Sequence, residues 1–187
     1  MSTSRERGRT TRAKILRATA ELIARDGWSG FSTREIAARA GVTQGIVSYH
    51  WRSKDELVRE AALNATTDVL APLGDALDHA TSARGALERI VALADSFRDS
   101  PELTLLLFET MLQAGRDPQL RAALAALISD FRNQLAAVLA REGVHDAAAT
   151  AAALAAALDG LFLHAVVDDR LDLAAAATAL LRLADPP

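Results

Sequence analysis

Apolar residues recur three and four positions apart along most of the 187-residue chain, and no stretch alternates apolar and polar in the two-residue period of a half-buried strand. The pattern predicts an all-α protein. A first helix is expected from about Thr11 to Asp26, with Ile15, Leu16, Ala18, Leu22 and Ile23 on one face and Gly27 as its stop. Residues 1–9, which include Arg5, Arg7 and Arg9, show no periodicity and read as a disordered basic arm. Two short helices and the start of a long one follow between Ser32 and Leu57, and the long helix continues through Ala61, Ala65 and Val69 to bend or stop near Pro72. Further helices are expected from Thr81 or Ser82 to Asp99, from Pro101 to Gly115, from Pro118 to Arg141, from Asp146 to Asp168 and from Asp172 to Ala184. Ser100-Pro101-Glu102 and Asp117-Pro118 mark two of these starts, each a capping side chain ahead of a proline in the first turn.

The densest local signals lie between residues 32 and 54. Ser32 and Glu35 have the spacing of a capping box, Ile36, Ala37 and Ala40 share a face, and Gly41 stands where a left-handed residue ends a helix. Thr43 can cap the next helix, whose Val47 points back onto Ile36 and onto Ala37, small enough for two helices to cross closely. The outward positions are then Thr43, Gln44, Gly45, Ser48 and Tyr49, short or polar groups suited to base edges and phosphates. This is a helix-turn-helix with Gln44–Tyr49 as its recognition helix. Thr33 and Arg34 face the same way. Gln44 suits bidentate bonding to adenine, Arg34 suits guanine or phosphate, and Gly45 lets the backbone sit deep in a groove. Ser53 and Glu56 form a second capping box, whose free N–H groups beside Lys54 make a phosphate seat.

Residues 12–58 resemble the DNA-binding domain of the tetracycline-repressor (TetR) family. The matching residues are Ile15, Leu16, Ala18 and Gly27, then Ser32, Ile36 and Ala37, then Ala40-Gly41-Val42, and finally Ser48-Tyr49-His50-Trp51 with Lys54 and Leu57. Ser48 stands where the family often has tyrosine and Trp51 where it usually has phenylalanine. The resemblance implies phosphate contacts for Tyr49, His50 and Lys54. It divides the chain into the arm at 1–9, a DNA-binding domain at 10–58 and a helical regulatory and dimerisation domain at 59–187.

Asp159-Gly160-Leu161-Phe162-Leu163-His164-Ala165 is similar to a string in regulators of the betaine-synthesis branch of that family. This resemblance implies that the last two helices pair across a twofold axis as a four-helix bundle. Small alanine faces and Gly160 suit a close approach, with Leu154, Leu158, Leu161 and Leu180 filling the seam. Phe97, Phe108, Met111, Phe131 and Phe162 are candidates to line an effector pocket, although each also suits an ordinary core. Asp159 and His164 lie five apart, on different faces, so a capped or interface role suits each better than a shared ligand site.

Charge sharpens this division. Residues 1–60 hold 12 Lys and Arg against 7 Asp and Glu, a net +5, whereas the remainder is −8. A basic end can meet phosphate while an acidic remainder stays off it. There are no cysteines, which rules out disulfides and thiolate chemistry, and His50, His79, His145 and His164 show no metal-ligand spacing. No cofactor is implied. The run from Ala147 to Leu158 reads as a buried helix, the N-terminus lacks the apolar core of a secretory signal, and a cytoplasmic location is expected. The sequence therefore points to a homodimeric transcriptional regulator, most simply a repressor on a palindromic operator that an apolar or aromatic effector releases. The alternative is an all-α enzyme or small-molecule carrier with an incidental basic end.

Overall fold

The computed structural model describes residues 4–80, 82, 84–85, 88–90, 92 and 100–182. Among these every regular element is a helix: α1 (Ser4–Asp26), α2 (Thr33–Ala40), α3 (Gln44–His50), α4 (Lys54–Asp78), α5 (Pro101–Ala114), α6 (Pro118–Arg141), α7 (Ala147–Val167) and α8 (Leu173–Leu181). The helix expected between Ser82 and Asp99 is helical at Arg84, Gly85, Glu88, Arg89, Ile90 and Ala92; its remainder, including Phe97, lies outside the described residues.

Two expectations about element ends need correction. α1 begins at Ser4, so most of the segment read as a disordered arm is its first turns. Arg and Glu are good helix formers even without an apolar face, and Thr10 Oγ1 bonds back to the Glu6 carbonyl at 3.0 Å. α4 does not stop at Pro72 but continues to Asp78. A proline inside a helix costs about 3 kcal/mol, but Pro72 faces solvent while Leu73 and Leu77 pack into a hydrophobic core. Burying two leucines offsets a cost of that size.

The chain divides into two compact units. The first comprises residues 1–67 and 105–122. Its interior holds Ile15, Leu22 and Ile23 from α1, Phe31 from the following loop, Ile36 and Val47 from the helix-turn-helix, Leu57 and Val58 from α4, Leu106 from α5 and Leu120 from α6. The second comprises residues 68–104 and 123–187. Its core joins Leu77 and Ile90 to Phe131, Leu135, Val138 and Leu139 of α6 and to Ala151, Leu154, Ala155 and Leu158 of α7.

That second core corrects two further readings. Leu154 and Leu158, expected at a seam between protomers, are only 3% and 8% exposed within their own chain. The alanine-rich run of α7 is not a buried helix all round, because Ala148, Ala149, Ala153 and Ala156 are exposed opposite Leu154 and Leu158. Only 17% of the most apolar stretch of α7 is buried within the chain.

Among the described residues Asp159 is the one acidic side chain with a raised pKa, about 6, because burial disfavours its charged form and Arg132 recovers only part of the cost. The Nε of Arg132 is itself buried without a hydrogen-bond acceptor. A carboxyl whose folded pKa lies above its unfolded value of 3.8 lets the folded state hold its proton longer. Its contribution is therefore fully present below about pH 4 and lost as pH rises through about 6, a loss of up to about 3 kcal/mol. Asp159→Asn should raise the urea midpoint at pH 7.5 and lose that advantage near pH 4; an equal gain at both values would show that ionisation is not the cause.

Candidate nucleic-acid interface

The two helices that present the site are set by backbone bonding that the sequence spells out. Glu35 N–H donates to Ser32 Oγ at 3.3 Å and Glu35 Oε2 accepts the Ser32 N–H at 2.7 Å, closing the capping box of α2. Gly41 ends α2 at φ 69°, with its N–H on Ala38 and the Val42 N–H on the Ala37 carbonyl at 2.9 Å. This is the reciprocal bonding of a Schellman turn, and it requires the left-handed conformation that glycine adopts without cost. Ile36, Ala37 and Val47 are 0%, 3% and 2% exposed, so the close crossing of α2 and α3 is real. Thr43 occupies the cap of α3, but its side chain makes no capping bond.

This packing turns one face outward. Arg34, Thr43, Gln44, Gly45, Ser48 and Tyr49 are exposed, while Thr33 and His50 are half-buried. Gln44 Nε2 donates to Thr33 Oγ1 at 3.2 Å, so the first side chains of α2 and α3 are tied together on the same face. Tyr49 is 85% exposed and stacks edge-on against His50 with ring centres 5.2 Å apart. A tyrosine that contributes so little to its own core has its surface available for another molecule. Ile46, at 37% exposure, joins this face and was not singled out from the sequence.

Gly45 is informative in another way. A Cβ added there would meet nothing closer than Thr43 Oγ1 at 3.9 Å, so the fold does not need a glycine. Inside a helix glycine costs about 1 kcal/mol relative to alanine. Gly45→Ala should therefore stabilise the protein by up to that amount while weakening DNA binding, if the backbone approaches a groove at this point. Improved thermal stability with unchanged DNA affinity would remove Gly45 from the interface.

Lys54 and Trp51 have roles that sequence pattern did not reveal. The Lys54 ammonium lies 4.5 Å from the centre of the Phe31 ring and donates to the carbonyls of Phe31 and Ser29. It thereby fastens the start of α4 to the loop ahead of α2, which leaves at most one of its three donors for a phosphate. The start of α4 is a variant capping box: Glu56 N–H donates to Ser53 Oγ at 3.1 Å, but Glu56 Oε2 accepts from Arg52 rather than Ser53. Trp51 is 4% exposed and its indole N–H donates to Glu60 Oε2 at 2.8 Å. Arg12 covers the same ring at 5.1 Å and pairs with the same carboxylate. Glu60 thus ties α1 and the end of α3 to α4. Phenylalanine at position 51 has no N–H to make that bond.

Phe108 and Met111 are half-buried in the first unit, whereas Phe131 and Phe162 belong to the core of the second. An open groove of about 490 Å³ in the second unit is lined by Pro72, Asp75, Ala76, His79, Arg89 and Ala92. Of the expected seam, Gly160, Leu161 and Leu180 are half-buried, and Leu154 and Leu158 are core.

A capped two-helix crossing with a polar outer face, buttressed by flanking helices in an all-helical chain, defines a helix-turn-helix DNA-binding protein. Residues 15–61 match the family described as bacterial regulatory proteins, tetR family, and residues 81–186 match the tetracyclin repressor-like C-terminal domain. The chain belongs to the TetR family of transcriptional regulators. It is 28% identical over 174 residues to the HTH-type transcriptional regulator BetI of Escherichia coli (strain K12), covering 85% of this chain and 84% of that one. A protein of Streptomyces coelicolor A3(2) described as a transcriptional regulator is 30% identical in sequence and superposes with a TM-score of 0.75, covering 95% of this chain and 99% of its own. A regulator from Saccharomonospora viridis, solved in complex with choline, superposes with a TM-score of 0.78 over 94% of this chain and 95% of its own. At 21% identity that last likeness speaks to the fold alone.

Proposed function

We propose that this regulator is a homodimeric repressor that grips a palindromic operator with two copies of α3 and releases it when a small molecule occupies the second unit. The observation that carries the DNA half of this reading is the exposed set Arg34, Thr43, Gln44, Ser48 and Tyr49, held on two helices whose buried sides are fully packed. Lys54 supplements it with its remaining donor. Support for the dimer comes from α7, where Ala149, Ala153, Ala156, Leu163 and Val167 recur at alternating three- and four-residue spacing on the exposed side. Gly160 lies on the same stripe and has nothing within 4 Å of an added Cβ. An apolar stripe at this spacing is what one helix offers another. Repression places the protein on the chromosome, and so in the bacterial cytoplasm.

For the effector, an apolar or aromatic molecule suits the apolar interior of the second unit. A small organic cation is a second reading, and Asp159 favours it. Its carboxyl is largely buried, and the positive charge of Arg132 offsets only part of the cost of ionising it, which leaves room for a second cation. The choline-bound S. viridis protein makes choline the first cation to test. Binding energies are linked, so an effector that releases DNA must itself bind more weakly, by the same factor, when the operator is present. Choline and a panel of aromatic compounds should be titrated calorimetrically with and without operator duplex. Equal affinity in both states for every compound that binds would show that the second unit does not sense an inducer.

A further inference from the structure

Asp117 uses one carboxylate for two purposes. Oδ1 accepts the backbone N–H groups of Gln119 at 2.9 Å and Leu120 at 3.1 Å, which starts α6, and Oδ2 accepts Arg59 Nη1 at 3.0 Å. The two side chains are 29% and 17% exposed, so the pair is only partly open to solvent competition. The Leu120 N–H and then the Arg59 guanidinium hold the Asp117 carboxyl below its usual range, against a smaller opposing effect of desolvation than their sum.

The corner that carries Asp117 is itself braced. Arg121 donates from Nε to the Ala114 carbonyl at 3.0 Å and from Nη2 to the Gly115 carbonyl at 2.9 Å, and the Asp117 N–H returns to Gln113 at 2.9 Å. The end of α5 and the start of α6 therefore form one stiff block. On α4, Arg59 is followed directly by Glu60, the residue that holds Trp51 and Arg12. Trp51 closes α3, its N–H bonded to the Val47 carbonyl at 3.1 Å. A single 1.5 Å step along α4 thus separates the grip on the recognition helix from the grip on the α5–α6 corner.

We propose that Arg59 and Asp117 are positioning residues for DNA recognition, which hold α4 and the Trp51 end of the recognition helix against the α5–α6 corner without touching DNA. Contacts from α3 to base edges carry the sequence information, whereas contacts to phosphate carry none directly. Loosening the pair should accordingly cost sequence selectivity more than general affinity. The inference rests on the DNA-binding reading.

The test uses Arg59→Gln, Asp117→Asn and the double variant in the full-length protein. Asparagine keeps an Oδ1 acceptor for Gln119 and Leu120, so the α6 cap survives while the charge that holds Arg59 is lost. Two quantities are read: the affinity ratio between a duplex enriched by the wild-type protein from a random library and a scrambled duplex, and deuterium exchange over residues 44–60 in the free protein. Each single substitution should lower the ratio about 5- to 10-fold and speed exchange, and the double variant should do no more than either single. The two singles change net charge in opposite senses, so affinities moving in opposite directions would show a field effect and overturn the proposal. Additive losses, or an unchanged ratio and exchange, would also overturn it. If the wild-type protein enriches no sequence, the DNA-binding reading fails, and the exchange measurement then decides alone whether the pair restrains the recognition helix.

Discussion

Leu163→Glu should convert the protein to a folded monomer whose affinity for its operator is about 10²–10⁴-fold lower. Leu163 is 40% exposed on α7, so a carboxylate there stays hydrated in the single chain and costs its fold little. In the proposed dimer the same position faces a second copy, and each protomer then buries a carboxylate with no partner. An unpaired charge of this kind costs about 3–5 kcal/mol. Two independent half-sites cannot match a linked pair, because joining binding units raises effective affinity by about 10²–10⁴. Sedimentation should show one protomer with an unchanged far-ultraviolet spectrum. A variant that sediments as an intact dimer would place the seam elsewhere.

Leu158→Glu, five residues earlier on the same helix, should instead unfold the second unit. Leu158 packs with Leu154, Ala155, Phe131 and Leu135 in the core of its own chain. Removing a buried leucine costs about 2–5 kcal/mol through lost contacts and the space left behind. An unpaired buried carboxylate adds several more, and the total rivals the roughly 5–15 kcal/mol that holds a domain together. Circular dichroism should show a large loss of helix at 37 °C, at concentrations where Leu163→Glu remains fully helical. Native-like helix content in the Leu158→Glu variant would mean that this residue lies outside the core. The contrast between the two positions separates dimerisation from folding, which a single charged substitution on α7 cannot do.

The different fates of these leucines show where sequence was legible. The α2–α3 crossing could be read residue by residue, because a capping box, a left-handed glycine and a small residue at Ala37 are local signals with fixed spacing. α7 could not be oriented. From Ala147 to Ala157 its residues are alanine except Thr150 and Leu154, so the core side and the open side carry nearly the same chemistry. Periodicity then has little to distinguish, and only the position of α6 shows that Leu154 and Leu158 face inward.

The bracing of the recognition helix was hidden for a different reason. Arg12 and Glu60 are 48 residues apart, and Arg59 and Asp117 are 58 apart. Pairs this distant leave no mark on local pattern. Lys54 shows the same effect, since its family position implies a phosphate while its ammonium in the free chain rests on the carbonyls of Ser29 and Phe31. Residue type does not separate a pocket lining from a core, and Phe131 is 9% exposed within the core cluster.

The most direct test of the account is selection from a random duplex library by the full-length protein, followed by measurement of protomers bound per enriched duplex. The expected product is an inverted repeat whose half-site centres lie about 34–36 Å apart along one DNA face, or a multiple of that distance, with two protomers on each duplex. Its affinity should fall steeply with salt, by a log–log slope of about −0.9 for each phosphate contacted. Enrichment of no sequence, or of a single unrepeated half-site bound by one protomer, would contradict a dimeric operator-binding regulator.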